Sequence, residues 1–124
     1  MVGEIIPSAE FYDYTAKYLD GGKTKINVPA DVPVEISEQI RELAVKAYKA
    51  LDCAGFARVD FFLENETGKI YLSEINTIPG FTKYSMFPIL WQAAGLTYSG
   101  QIERIVDLGY ERYHTENHRQ TTEL

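Results

Sequence analysis

Two runs decide how this sequence folds: Ala57-Arg58-Val59-Asp60-Phe61-Phe62-Leu63 and Lys69-Ile70-Tyr71-Leu72-Ser73-Glu74-Ile75-Asn76-Thr77-Ile78-Pro79-Gly80. Between them lies Glu64-Asn65-Glu66-Thr67-Gly68, polar and glycine-terminated. Each run is rich in β-branched and aromatic residues, so the pair reads as an antiparallel hairpin. Side chains alternate faces along a strand. Arg58 and Asp60 therefore share one face, opposite Ala57, Val59, Phe61 and Leu63. On the second strand the alternation groups Ile70, Leu72, Glu74 and Asn76. With a constant register sum, Asp60 stands opposite Glu74 and Arg58 opposite Asn76, and a slip of one residue would scatter the polar set. Paired carboxylates repel unless a cation lies between them. Asp, Glu and Asn oxygens are hard ligands suited to Mg²⁺ or Mn²⁺. The neighbouring arginine suggests that an anion is held there as well. Metal and arginine without an activated Ser or Cys point to phosphoryl chemistry. The plain alternative is a solvated hairpin face whose charges happen to align.

Outward from the hairpin, the preceding segment turns helical from about Val34. Ile36, Ile40, Leu43, Ala44, Ala47, Tyr48 and Leu51 form one stripe, and Gly55 is the expected terminator. After the hairpin, Ile78-Pro79-Gly80-Phe81-Thr82-Lys83-Tyr84 is a loop in which Gly80 permits close backbone approach. Ser85 is placed to cap a helix running from Met86 to about Ala94, with Pro88 in its first turn and Gly95 after its end. A helix N-terminus beside a metal patch is suited to a carboxylate or phosphate. Thr97 is placed to cap a last helix with Ile102, Ile105, Val106, Gly109 and Tyr113 as its buried stripe and a frayed, polar end. His114 and His118 in that end lack a third ligand and are not read as a metal site.

The first third of the chain is less regular. Val2–Pro7 is a short strand, and Lys25–Pro29 is strand-like. Between them residues 9–25 are dense in tyrosine and charge without a sustained period, the pattern of a loop that closes over a site, with Lys17 and Tyr18 as contact groups; a loop packed down by its own tyrosines is the alternative. Gly22-Lys23-Thr24 is not a phosphate loop, because Lys17 stands where the leading glycine is needed and a strand follows. The chain has 124 residues and a net charge of −6, with a pI near 4.9. This excludes nucleic-acid binding through a basic surface. Its one cysteine, Cys53, forbids an internal disulfide and is read as a buried packing residue. No membrane-spanning run or signal peptide is evident, so a cytoplasmic protein is expected.

These residues resemble the C-terminal portion of D-alanine–D-alanine ligases of the ATP-grasp superfamily. The likeness is carried by Gly3-Glu4-Ile5-Ile6-Pro7, by Phe11-Tyr12-Asp13-Tyr14 with Ala16-Lys17-Tyr18, by Ala57–Leu63, and by Glu74-Ile75-Asn76-Thr77 through Pro79-Gly80-Phe81-Thr82 to Ser85 and Pro88. It implies an α+β fold, the C-terminal part of an ATP-grasp domain, with a mainly antiparallel sheet and about three helices packed on it. It further implies that Asp60, Glu74 and Asn76 ligate two Mg²⁺ (or Mn²⁺) ions on ATP, Glu74 serving both. Arg58 and the Gly80 N–H would stabilise an oxyanion, and Lys17 would approach the γ-phosphate. Tyr18 would line the second D-alanine site, with Ser85 and the Met86 N–H holding that substrate's carboxylate. Relatives making D-alanyl-D-lactate or D-alanyl-D-serine differ in the 12–18 loop, whose form here resembles the dialanine type. Ser73 stands where many relatives have Asn, and should point away from the metal face.

The family's N-terminal and central regions, which bring the first D-alanine site and the remaining nucleotide contacts, have no counterpart in the 124 residues. The expectation is therefore a piece of such an enzyme, inactive alone, with a homodimer forming through the uncovered surface. A fragment of another ATP-grasp carboxylate–amine ligase, or a non-catalytic nucleotide- or protein-binding module, are the rival readings.

Overall fold

A computed structural model describes residues 1–6 and 25–122, with side chains through Glu116. The expected closing loop, with Lys17 and Tyr18, lies outside the described residues. Two antiparallel pairs and three helices make up the described part. Strand β1 (Glu4–Ile6) pairs with β2 (Lys25–Asn27). Helix α1 spans Val34–Ala50, β3 Arg58–Leu63 and β4 Ile70–Asn76; helices α2 (Met86–Ala93) and α3 (Tyr98–Thr122) follow. This is the α+β architecture expected, although the strands form two separate two-stranded sheets. At the β1–β2 pair Glu4 and Asn27 are partners, and the Asn27 Nδ2 donates to Glu4 Oε2 at 2.8 Å.

The ends of the first two helices show how local sequence stops them. Helix α2 ends as expected: Gly95 takes φ +94°, its N–H donates to Gln92 O, and Leu96 N–H donates to Trp91 O. Those two bonds satisfy terminal carbonyls that the helix itself leaves open. Helix α1 does the same with Asp52 rather than Gly55. Asp52 has φ 50°, its N–H donates to Lys49 O, and Cys53 N–H donates to Tyr48 O. An Asp tolerates this left-handed geometry better than most residues, so the helix stops three residues before the glycine singled out from sequence. Gly55, at φ +75°, lies in the connecting loop. The α1 stripe is partly inward: Ile40 is buried, whereas Leu43 and Leu51 are exposed. Cys53 is half-buried.

The core centres on Phe87 in the first turn of α2, only 8% exposed. Its ring meets Phe56 at 5.3 Å, Phe81 at 5.8 Å and Trp91 at 6.5 Å between centroids. Phe81 in turn meets Tyr98 at 5.0 Å. These tilted and edge contacts join the segment before β3, the loop after β4, and α2 to α3 in one aromatic cluster.

Helix α3 departs from its expected stripe. Gln101 is buried and Ile105 and Leu108 are half-buried, while Ile102, Val106 and Tyr113 are about half exposed or more. The inward face is thus rotated toward Gln101, because its amide finds carbonyl partners at the α2 contact. Helix α3 extends to Thr122, through the polar end that follows Tyr113. Arg112 Nε donates to Glu116 Oε1 at 2.7 Å one turn on, the i,i+4 spacing that supports an exposed helix. At its start Thr97 caps as expected, its Oγ1 accepting from Gly100 N–H at 3.1 Å.

Candidate functional site

The β3–β4 register places Arg58 opposite Asn76 and Asp60 opposite Glu74, the pairing read from sequence. The constant sum does not persist. Ile75 and Glu74 pair with Val59 and Asp60, but Phe61 pairs with Leu72, leaving Ser73 as an extra residue in a bulge. Beyond it, Leu72 and Ile70 stand opposite Phe61 and Leu63. They therefore belong to the apolar face, not to the face of Glu74 and Asn76 as strict alternation predicts. The bulge repairs a parity conflict: without it two large aliphatic side chains would lie on the carboxylate face. It also brings Tyr71 onto that face opposite Phe62, which strand alternation already places there, and both are exposed. The hairpin turn is closed by Gly68 at φ +69°, with its N–H donated to Glu64 O at 2.8 Å.

Arg58 organises the polar patch. Its Nε donates to Asp60 Oδ1 at 2.8 Å, and its second terminal nitrogen donates to Asp60 Oδ2 at 2.8 Å and to Glu74 Oε1 at 3.1 Å. The Arg58 side chain is 18% exposed, against 38% for Asp60 and 54% for Glu74. The cation between the two carboxylates is therefore a guanidinium. Its pKa is held above the ordinary arginine value, first by the hydrogen bond to Asp60 and then by the charges of Asp60 and Glu74, against the lowering effect of burial. Asn76 Oδ1 accepts from Ile78 N–H at 3.1 Å, which orients the amide at the start of the loop. Together Asp60, Glu74 and Asn76 present hard oxygens from adjacent strands on one face. That donor set suits a divalent cation of the magnesium type, with Arg58 as the group it must share the carboxylates with.

The loop and helix after β4 form the second half of the site. Ser85 occupies the N-cap position of α2 in an extended conformation, yet its hydroxyl makes no capping bond. It accepts from Thr82 N–H at 3.0 Å and lies 3.0 Å from Thr82 Oγ1. The hydroxyl is engaged by the loop, so the helix N-terminus is left open. Pro88 has no N–H; among the described residues, the N–H groups of Met86 and Phe87 meet no protein acceptor. A Cβ on Gly80 would lie 2.9 Å from Ser85 Oγ, so glycine there lets the backbone pass against the serine. Tyr98 Oη donates to Phe81 O at 2.5 Å. Gln101, 2% exposed, donates from Nε2 to Pro88 O at 3.2 Å and to Leu96 O at 3.1 Å.

The structure thus brings Arg58, Asp60, Glu74 and Asn76 onto one strand pair and places Gly80, Ser85 and Met86 on the loop–helix junction that follows it. Thr82, Phe62 and Tyr71 were not singled out as site neighbours from sequence. Thr82 carried a signal, a hydroxyl three residues before Ser85, and Phe62 another, two residues beyond Asp60 on the same strand; Tyr71 depends on the bulge. Among the described residues, no helix is long and apolar enough to cross a membrane.

Comparison with known proteins fixes the kinship. The family model described as D-ala D-ala ligase C-terminus matches residues 1–107. The D-alanine--D-alanine ligase of Acetivibrio thermocellus is 60% identical over 112 residues, 90% of this chain but 30% of that protein. That of Ruminiclostridium cellulolyticum is 51% identical over 124 residues, 99% of the chain and 33% of the relative. Among solved structures, the D-alanine--D-alanine ligase from Bacillus anthracis complexed with ATP superposes with a TM-score of 0.73 at 36% identity, covering 92% of this chain and 36% of that one. A D-Ala:D-Ser ligase from Enterococcus faecalis gives 0.70 at 41% identity, covering 86% and 30%. The chain therefore spans about a third of the length of the relatives it matches.

Proposed function

The chain belongs to the D-ala D-ala ligase C-terminus family, and from that premise we propose that it serves as the C-terminal part of an ATP-dependent D-alanine–D-alanine ligase of peptidoglycan synthesis. The observation that carries the reading is the strand pair itself. Its register sets Arg58, Asp60, Glu74 and Asn76 side by side, next to a loop leading into an open helix N-terminus.

In this reading Asp60, Glu74 and Asn76 would hold Mg²⁺ or Mn²⁺, two ions per site, and the metal would supply neutralisation of charge on the nucleotide phosphates. Phe62 and Tyr71, exposed on the same face, offer an apolar surface beside that position. One carboxylate oxygen of the first D-alanine attacks the γ-phosphorus, and the bond to the ADP oxygen breaks. The amine of the second D-alanine then attacks the acyl carbon. Phosphate leaves with the oxygen that made the attack, and the amine loses a proton. Negative charge develops on oxygen in both steps. Arg58, once drawn from Asp60 and Glu74, and the Gly80 N–H are the donors available to it. The Met86 N–H and the positive end of α2 receive the carboxylate of the second D-alanine, with Ser85 beside them. Lys17 and Tyr18 are assigned the γ-phosphate and the second D-alanine, which closure of the loop formed by residues 9–25 over the site would provide. Closure would also exclude water, which otherwise hydrolyses an acyl phosphate.

The 124 residues by themselves are proposed to be inactive, since the first D-alanine site and the remaining nucleotide contacts would come from the preceding two-thirds of such an enzyme. We further propose a cytoplasmic location, where ATP is available, and self-association of the isolated chain through apolar surface on α3. The test is a chimera in which this chain replaces the matching region of the Acetivibrio thermocellus relative. D-Alanine-dependent phosphate release by the chimera, absent from the chain alone, supports the reading. A folded chimera that binds ATP but releases no phosphate with D-alanine overturns it.

A further inference from the structure

Gln101 is the most deeply buried large side chain of the described residues, and it is polar. Its Nε2 donates to two backbone carbonyls, while its Oε1 is buried without a partner among the described residues. An apolar residue of similar size would avoid that orphaned oxygen, whose burial without a partner is costly. The amide is therefore retained at an energetic disadvantage, and its two bonds indicate where the compensation lies. One goes to Pro88 O in the first turn of α2; the other goes to Leu96 O in the turn joining α2 to α3.

One turn earlier on the same helix, Tyr98 donates to Phe81 O at 2.5 Å and packs its ring on that of Phe81, 5.0 Å between centroids. Residues three apart on a helix share a face. The first turn of α3 thus grips the polypeptide at two points, Phe81 and Pro88. Between them lie the Ser85 hydroxyl and the Met86 N–H, and Gly80 immediately precedes them. In that intervening segment residues 82–84 are exposed and Ser85 and Met86 half-buried, while Phe87 is buried in the aromatic cluster. The hydrogen bonds within 82–85 are short-range: Thr82 N–H to Ser85 Oγ, Tyr84 N–H to Thr82 Oγ1, and Ser85 N–H to Thr82 O. Local bonds of this kind shape the turn. Phe87 anchors its helical end by packing on Phe56 and Phe81, and the two grips from α3 hold the backbone itself on either side of the turn.

We propose that Tyr98 and Gln101 are positioning residues for the reaction: a two-point clamp that sets the Gly80 and Met86 N–H groups where the acceptor substrate's carboxylate and the developing oxyanion must lie. Neither side chain touches substrate. The inference rests on the ligase reading above and adds specificity-determining residues that lie outside the polar patch. Misplacing donors by even about 1 Å at such a site can cost on the order of 100-fold in rate, so weakening the clamp shows in catalysis before it shows in folding.

The experiment uses the same chimera and the substitutions Tyr98→Phe, Gln101→Met and the pair. Tyr98→Phe keeps the ring and removes only the hydroxyl; Gln101→Met keeps the length and removes the donors. The expected result is a rise of threefold or more in the D-alanine concentration giving half-maximal phosphate release for each variant. The ATP dependence should stay within twofold of the parent, and the double variant should change by less than the product of the singles. A melting shift with unchanged D-alanine dependence, or equal changes in the D-alanine and ATP dependence, overturns the clamp and leaves a structural role. Amide hydrogen exchange on the 124-residue chain separates this from failure of the ligase reading. If the parent chimera is inactive, the clamp still requires Tyr98→Phe to speed exchange at Gly80 and Met86 relative to amides of α1, and unchanged exchange there overturns it.

Discussion

Substituting Gly80 by alanine tests the geometry of the loop most sharply. The added Cβ would stand 2.9 Å from Ser85 Oγ and 3.7 Å from Ser85 Cβ. No strained backbone angle is at issue, so the effect comes from this contact alone. Ser85 cannot yield freely, because its hydroxyl receives the Thr82 N–H and pairs with the Thr82 hydroxyl, each at 3.0 Å. Moving it forfeits both interactions, at about 0.5–1.5 kcal/mol each, or about 1–3 kcal/mol in all. Against this, replacing glycine lowers the entropy of the unfolded chain and returns about 0.4–1 kcal/mol. The expected net loss is about 0.5–2 kcal/mol, read from urea midpoints at unchanged slope. Ser85→Ala removes the same two bonds, and in its background Gly80→Ala has nothing left to displace. The double-mutant cycle should therefore show coupling of at least about 0.5 kcal/mol, with Gly80→Ala neutral or stabilising when Ser85 is already alanine. A stabilising single Gly80→Ala, or an additive cycle, would refute the contact and with it the argument for why glycine is needed there.

Other outcomes follow from other parts of the molecule. Phe87→Ala should cost about 3–5 kcal/mol, enough to leave the isolated chain largely unfolded at room temperature by circular dichroism; a small loss would mean that the aromatic cluster is not the core. Asp52→Gly should stabilise by up to about 1 kcal/mol by relieving the left-handed backbone at φ 50°, and a destabilisation in thermal melts would point to a role for the carboxylate. Burial raises the Tyr48 pKa above 10.0, helped by Cys53 and opposed by Arg112. A proton held more tightly in the folded state contributes stability that is intact below the unfolded pKa and lost as pH rises past it. Stability should then fall faster above pH 10 in the parent than in Tyr48→Phe, and parallel curves would contradict this. The exposed α3 stripe of Ile102, Val106, Tyr110 and Tyr113 should make the isolated chain self-associate, with Val106→Glu reversing it; a compact monomer of the parent at high concentration in sedimentation removes that proposal.

Much of this fold was legible because its determinants are local. Alternation placed Arg58 with Asp60 and Glu74 with Asn76, and a glycine-closed turn set the register between them. The helix starts at Ser85 and Thr97 were marked by residue types that favour helix entry, although only Thr97 uses its side chain to cap. What stayed hidden depends on contacts distant in sequence. Strict alternation mis-assigned Leu72 and Ile70, since a bulge at Ser73 is chosen by the apolar face that must be filled rather than by Ser73 itself. The α3 stripe was mis-set because Gln101 reads as a surface residue until two backbone carbonyls, those of Pro88 and Leu96, are brought to it. Asp52 ended α1 ahead of Gly55 because the terminal carbonyls can be satisfied as soon as a residue accepts a positive φ. In the site, Ser85 was placed correctly on the chain, but its bond to Thr82 instead of its own helix was not foreseen.

The central claim is that this chain completes an enzyme that activates a carboxylate as its acyl phosphate. The most direct measurement supplies the chimera with ATP and D-alanine carrying ¹⁸O in its carboxylate, and determines by mass spectrometry the label in the phosphate released. The account predicts one ¹⁸O in the phosphate for each dipeptide formed. Dipeptide accompanied by unlabelled phosphate would contradict it.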